Sequence, residues 1–490
     1  MCGIFALLDE EPVTDQSYQA LLQLQHRGQD AAGIFSYDPI TDKHVLHKEK
    51  GLVSEVFRTD PLALATAKWA IGHVRYATIG KGCGSETQPL YLHGYHTLAM
   101  AHNGNIVNYI PLRKKLESHG LVFETESDLE VLLHLFFQQL PMEKIHFALL
   151  CRAAEKVCRE VDGAFSVVGL IGKAGVFAFR DPYGMRPLLF SAQKKRFAFA
   201  SETNALSVLG FSQIESLKPG ELVFIDENKN IHRRQLLTKK PAPCAFEWNY
   251  FSKPNTIIDG KEVYSVRTRL GELLGQEVRK KGLTVDVVIP IPTTARVAAT
   301  ALAQTLNVSY EEGFVKQDNI GRTFIMPTQG SRQNALRRKL APVLSVFKDK
   351  RVLLVDDSIV RGTVSKKVIQ LAREAGAKNV YFASTFPPIT HPCLYGIDFP
   401  LSAQLLAHGK EGDEISELIQ ADAVIYNTLE NLRQAIGKTE ICSACVTGRY
   451  PTKTQGSLEL QALREKHLHH METTCQTPLP SSILAHSTLN

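Results

Sequence analysis

The stretch RVLLVDDSIVRGTV, Arg351 to Val364, decides how the second half of this chain is read. An apolar strand runs into two aspartates, Asp356 and Asp357, and Ser358, Arg361, Gly362 and Thr363 then lead into a helical pattern. A strand-to-helix turn presents backbone N–H groups and hydroxyls to a phosphate, and the helix dipole adds to the attraction. Paired acids at the strand's end can accept hydrogen bonds from adjacent sugar hydroxyls. The plainer alternative is two caps on a solvent-exposed turn. It fits poorly, because neighbouring carboxylates repel unless cations or hydroxyls satisfy them.

Around this stretch helices alternate with buried strands. Tyr264 to Lys281 and Arg296 to Leu306 read as helices, with VDVVIPIP as a strand and turn between them. Ser365 to Ala375 is a further helix and NVYFAST a further strand. This alternation predicts a parallel α/β sheet. Upstream, TKKPAPC reads as a linker beginning near residue 238. The first half carries short β-type runs at Trp69 to Arg75, Thr97 to Ala101, Ala164 to Leu170 and Gly175 to Phe179. Helical patterns cover Gln16 to Gln25 and Ser127 to Leu140, so layered α and β with mainly antiparallel sheets is expected there. The organisation is therefore 1–237, 238–454, and a polar, disordered tail over 455–490 containing KHLHHMETT. Metal binding by that His run is the weaker reading of a solvated segment.

Bulk properties set the class. The 490 residues carry a formal charge of +6 and are 44% hydrophobic, ordinary for a soluble protein and without the cationic density of a nucleic-acid binder. No membrane span or secretory signal is read, and a cytoplasmic location is expected. Nine cysteines in so long a chain do not suggest a disulfide scaffold. Cys83, Cys151, Cys158 and Cys475 are read as buried or incidental thiols, whereas Cys393, Cys442 and Cys445 cluster late. The chain opens MCGIFALL. Removal of Met1 would place a thiol and a free α-amine on one residue, Cys2, as nucleophile and nearby base. By position alone, an incidental cysteine is the commoner explanation.

Cys2 has company in QHRGQDAAG (25–33), GHVRYAT (72–78), HNGNI (102–106) and ESDLE (126–130). Together these resemble the glutaminase domain of N-terminal-nucleophile (Ntn) amidotransferases over roughly residues 1–235. The resemblance implies a layered αββα Ntn hydrolase domain. It also implies that Cys2 attacks the glutamine side-chain amide and that Asn103 and the Gly104 N–H form an oxyanion hole. Arg75 would clamp the glutamine α-carboxylate and Asp128 the α-ammonium, with His102 beside them. A domain-internal salt bridge is the alternative for Arg75 and Asp128.

The 351–364 stretch resembles the PRPP (phosphoribosyl pyrophosphate) loop of type I phosphoribosyltransferases, an α/β fold with a parallel sheet. Asp356 and Asp357 would then contact ribose hydroxyls, and Ser358, Ile359, Val360, Arg361, Gly362 and Thr363 would cradle the 5-phosphate. Mg²⁺ would bind chiefly through PRPP oxygens, near Thr293, Asp356 and Asp357. PIPTTA (290–295) sits where that fold carries its pyrophosphate loop, and KQDNIGRTFIMP (316–327), with Lys316 and Arg322, where it carries a mobile loop.

The two halves together resemble the glutamine PRPP amidotransferase family, iron–sulfur branch, almost to residue 454. DPYGMRPL (181–188), SETNAL (201–206) and FVKQDNIGRTFI belong to that match. It implies glutamine and PRPP as substrates, an internal ammonia channel, purine nucleotide feedback inhibitors, and a homodimer or homotetramer. It assigns Cys244, Cys393, Cys442 and Cys445 to a [4Fe–4S] cluster, while spacing alone leaves zinc as a competitor. Family members usually carry Asn-Arg-Tyr where this chain has Gln317, Asp318 and Asn319, and an acid or serine at Thr293 and Ala295. The altered loop raises a second reading, a glutaminase joined to a catalytically silent, PRPP-sensing module.

Overall fold

The computed structural model describes residues 1–58, 66–76, 86–316, 340–399 and 401–474. Its first half is two antiparallel sheets packed face to face. One has seven strands, in the spatial order Ile214–Ser216, Leu189–Gln193, Arg196–Ala200, Gly3–Leu8, Trp69–Arg75, Ala31–Asp38 and Lys43–Lys50. The other has six, in the order Ile231–Gln235, Glu221–Asp226, Gly175–Arg180, Gly163–Ile171, Thr97–Ile106 and Leu90–His93.

Strand periodicity explains the layering. In GIFALL, Ile4, Ala6 and Leu8 face the second sheet and pack with Ala99, Ala101, Val168 and Leu170. Phe5 and Leu7 face the opposite way, onto Leu21 and Leu24 of the helix Thr14–Leu24. On the second sheet Leu98, Met100, Phe177 and Phe179 turn outward, onto the helices Asp128–Phe137 and Phe147–Glu160. The result is an αββα sandwich whose central strands are covered on both faces.

The second half holds a five-stranded parallel sheet, ordered Ser309–Tyr310, Val287–Pro290, Arg351–Asp356, Asn379–Ser384 and Ala423–Tyr426. Central strands in such a sheet are buried on both faces, so they read as unbroken apolar runs. The helices Val263–Lys280 and Arg296–Leu306 pack so closely that a Cβ on Gly271 would collide with the Ala298 backbone. A shared apolar cluster joins the halves, uniting Met1, Ala164 and Met185 with Phe246, Trp248, Leu394 and Tyr395.

One expectation is corrected. The segment expected to be a disordered tail begins instead with a helix, Ser457–Thr474. Leu460 is completely buried in the inter-domain cluster, and Arg464 is buried with its Nη1 donating to the Cys393 carbonyl at 2.8 Å. A narrow stripe at Leu460, Leu463 and Arg464 is enough to dock a helix that is otherwise polar. Residues 475–490, with Cys475, lie outside the described residues, as do Cys83 and residues 317–339.

Candidate active sites

Cys2 stands at the start of the strand Gly3–Leu8, and Gly3 pairs with Val74, so Cys2 and Arg75 emerge at the same end of neighbouring strands. The half-buried Cys2 Sγ lies 3.7 Å from the Tyr76 carbonyl. Burial raises its thiol pKa and Asp128 adds to the rise, while the terminal ammonium, the contact with Tyr76 and Arg75 oppose it. Arg75 Nη2 donates to Glu86 Oε2 at 3.0 Å, so the internal salt bridge exists alongside any ligand role.

The facing sheet supplies the next group. Asn103, on the strand Thr97–Ile106, is fully buried, and neither end of its amide finds a hydrogen-bond partner among the described residues. Its strand packs on the strand that follows Cys2, through Ala99 and Ala101 against Ile4 and Ala6, and because buried polar atoms are nearly always paired, an unpartnered amide here is suited to a transient oxyanion. Gly104 has φ +154, and a Cβ there would run into the Ala164 carbonyl oxygen. Only glycine fits this close approach.

Asp128 opens the helix Asp128–Phe137, where its Oδ2 accepts from the Ile106 N–H at 3.0 Å. His102 Nε2 lies 3.4 Å from the same oxygen. Gln88 Oε1 accepts the His102 N–H at 2.8 Å, which leaves Gln88 Nε2 as the donor to His102 Nδ1 at 2.9 Å. That assignment puts the ring hydrogen of a neutral His102 on Nε2, facing Asp128. Burial alone would raise the Asp128 pKa, but His102, the Ile106 amide and Arg75 bring it below the usual value.

In the second half, Asp356 ends the strand Arg351–Asp356 and the helix Thr363–Glu374 begins seven residues later. Both carboxylates are half-buried; Asp357 N–H donates to Asp356 Oδ1 at 2.9 Å and Ser358 Oγ to Asp357 Oδ1 at 2.8 Å. Burial, with the Asp357 charge beside it, pushes Asp356 well above the usual carboxylate range, and burial raises Asp357 as well. The pair thus favours holding a proton until cations or hydroxyls compensate its charge. Ile359 is buried under the loop, and the Val360 carbonyl accepts from the Leu406 N–H at 2.8 Å. Gly362 adopts φ +73 at the helix entry, and Arg361 reaches Gln404 and, at 3.5 Å, Asp398 on the surface. Pairing of Pro290 with Val355 brings the 290–295 loop, with Thr293, alongside the acids. Lys316 ends the strand Phe314–Lys316; Arg322 lies outside the described residues.

The four late or linker cysteines meet although they are far apart in sequence. Cys244, Cys393, Cys442 and Cys445 line one pocket with Arg186 and Phe246. Cys442 N–H donates to the Pro243 carbonyl at 2.8 Å, and the Cys445 carbonyl accepts from the Thr390 N–H at 2.9 Å and the His391 N–H at 3.0 Å. Burial holds the Cys244 thiol up at about 11 and raises Cys442 and Cys445 as well. Among the described residues no His, Cys, Asp or Glu group converges closely enough to hold a single metal ion. Cys151 and Cys158 are buried in the helix Phe147–Glu160, away from this pocket.

Sequence reasoning missed Gln88, Glu86, Glu247 and Asn249, single polar residues whose importance lies wholly in distant partners. The chain matches a glutamine amidotransferase domain over residues 73–208 and a phosphoribosyl transferase domain over 261–393. It is 42% identical to the amidophosphoribosyltransferase of Pseudomonas aeruginosa, over 90% of each chain. It is 43% identical to that of Escherichia coli, over 89% of this chain and 88% of that one. A solved structure, glutamine PRPP amidotransferase from B. subtilis complexed with ADP and GMP, superposes with a TM-score of 0.84 at 36% identity, covering 93% of this chain and 100% of that one. Identity at this level over nearly the whole length, with both domains present in order, shows that the chain belongs to the amidophosphoribosyltransferase family.

Proposed function

We propose that this chain makes 5-phosphoribosylamine from PRPP, glutamine and water, releasing glutamate and pyrophosphate, with ammonia passing between its two sites. The reaction is the first committed step of purine nucleotide synthesis. The observation that carries the reading is the pairing, in one chain, of a strand-end thiol on which the charges of Arg75 and Asp128 act with a strand-to-helix loop headed by Asp356 and Asp357.

After Met1 is removed, the Cys2 α-amine takes the thiol proton and Sγ attacks the glutamine amide carbon. Asn103 Nδ2 and the Gly104 N–H hold the oxyanion, the C–N bond breaks, and the protonated nitrogen leaves as ammonia. Water then hydrolyses the thioester to glutamate. Arg75 holds the substrate carboxylate and Asp128, oriented by His102, its ammonium. At the second site, Asp356 and Asp357 hold the ribose hydroxyls and residues 358–363 the 5-phosphate, with Lys316 and Arg322 supplying positive charge to PRPP. Ammonia attacks the anomeric carbon and pyrophosphate departs. Mg²⁺, held largely by PRPP with Asp356, Asp357 and Thr293 near it, would neutralise the pyrophosphate charge.

The four cysteines line one pocket, and four thiolates are the usual ligand set of a [4Fe–4S] cluster, which the family resemblance favours over zinc. Arg186 supplies positive charge at that pocket: burial opposes its charge, yet nearby Cys244 and Glu247 carry its pKa above the ordinary value. The cluster's contribution would be a cross-link between the linker and the C-terminal segment, in a reducing cytoplasm. Purine nucleotides would act as feedback inhibitors, on a homodimer or homotetramer.

The test is phosphoribosylamine formation from PRPP, with glutamine and with ammonia in parallel, on anaerobically purified protein assayed for iron and zinc. Product from both donors supports the reading. Glutamine hydrolysis without product from either donor would establish the silent, PRPP-sensing alternative.

A further inference from the structure

One helical turn touches both sites. The π-helical turn Glu247–Phe251 follows the linker, and such turns are frequent at functional positions. Glu247 is 1% exposed, accepts from Arg27 Nη2 at 2.7 Å and pairs with Arg186 Nη1 at 3.4 Å. Arg27 is itself fixed through Nε to Glu202. The next residue, Gly28, packs so tightly on the Arg75 backbone that no Cβ fits between them. This end of the turn therefore bears on the strand end that carries the glutamine-site arginine.

Two residues later the same turn reaches the other site. Asn249, 2% exposed, donates from Nδ2 to the Asp357 carbonyl at 3.0 Å and accepts at Oδ1 from Thr385 Oγ1 at 2.8 Å. Arg267 braces the turn by donating to the Trp248 and Tyr250 carbonyls, both at 2.9 Å, and to the Ser252 carbonyl at 2.8 Å. A mere spacer would be cheaper to build from apolar side chains, since buried polar groups cost free energy unless each is paired. Here both buried polar side chains point at the backbone or the supporting residues of a site.

We propose that Asn249 and Glu247 are positioning residues that transmit PRPP occupancy to the glutamine site. The proposal rests on the functional reading above. When sugar hydroxyls engage Asp357, any shift of its carbonyl is passed by Asn249 to a braced turn. Glu247 then passes it to Arg27, and Gly28 to the Arg75 backbone. Neither residue touches a substrate; each sets where another group stands.

The experiment uses the full-length protein and measures three rates: glutamine hydrolysis without PRPP, the same with saturating PRPP, and ammonia-dependent phosphoribosylamine formation. In Asn249→Ala and Thr385→Val the ratio of the second rate to the first should fall at least about fivefold, the lower end of a typical coupling energy. Ammonia-dependent turnover and PRPP-free hydrolysis should stay within about twofold of the parent. Thr385→Ser keeps the hydroxyl and should keep the ratio, which separates coupling from packing. An unchanged ratio in both Asn249→Ala and Thr385→Val overturns the proposal, as does a parallel fall of all three rates that Thr385→Ser shares. A parent whose hydrolysis ignores PRPP while both activities are intact overturns it and leaves the proposed function standing. A parent making no product from ammonia removes the transferase reading, and the proposal falls with it.

Discussion

Replacing Asn103 by leucine separates catalysis from stability. The side chain is fully buried, and both polar atoms of its amide are unpartnered among the described residues. An unpaired buried polar atom costs roughly 1–3 kcal/mol, and leucine, of similar volume, removes both at once. Folding therefore gains or breaks even, and the melting temperature should not fall by more than about 2 °C. Catalysis moves the other way. Loss of one preorganised donor to an oxyanion costs ~2.7–4 kcal/mol. At about 1.36 kcal/mol per tenfold, this is a ~100- to 900-fold drop in glutamine-dependent kcat. Ammonia bypasses the acyl step, so ammonia-dependent turnover should be unchanged. The assay compares kcat with each donor beside a thermal melt of the same sample. Glutamine turnover within about tenfold of the parent, with the melt unchanged, would remove Asn103 from the oxyanion hole. A lowered melt with equal loss for both donors would make its role structural.

Three further outcomes are expected. Asp357→Asn removes a charged acceptor for a sugar hydroxyl, worth roughly 1.5–3 kcal/mol, so kcat/KM for PRPP should fall ~10- to 150-fold with either donor; a fall confined to glutamine would refute the assignment. In Glu202, burial favours the neutral acid, but Arg27 and His26 outweigh it and hold the pKa near 2 against an ordinary 4.5. A depressed carboxyl pKa gives stability that is complete above about 4.5 and lost as pH falls towards 2, so Glu202→Gln should cost about 3 kcal/mol at pH 7 and almost nothing near pH 2. Denaturant titrations across that range check it, and a pH-independent difference would contradict it. Leu460→Ala should destabilise the protein by about 2–4 kcal/mol in chemical denaturation, as for a core leucine, whereas a solvated tail would register nothing.

The strand–loop–helix at 351–364 was legible because its signals are local. A doubly buried parallel strand is an unbroken apolar run, and the polar break at Asp356 marks its end. The antiparallel half was legible for a related reason, since GIFALL and TLAMA alternate between two buried faces and still read as continuous strands. The tail was misread because average polarity hides a stripe only three residues wide. Cys442 and Cys445 announced themselves by spacing, but Cys244 and Cys393 join them only through tertiary structure, so the resemblance alone had grouped the four. Glu247 and Asn249 carried no signal at all. Their partners Arg27 and Asp357 are separated from them by 220 and 108 positions, and nothing in the periodicity of the chain connects them.

The strand Gly3–Leu8 lies at the middle of its sheet, and its two neighbours are Trp69–Arg75 and Arg196–Ala200, with Phe5 opposite Ala200. On a ribosome this apolar hexapeptide emerges long before one of its partners, which is encoded nearly two hundred positions downstream. At ~5–20 residues per second the wait lasts about 10–40 s. During it, GIFALL has the composition of a sticky, charge-free segment with one flank bare. Slow elongation, or a nascent-chain chaperone, should therefore govern the yield of active glutaminase more than that of the transferase half, whose sheet pairs strands closer together in the chain.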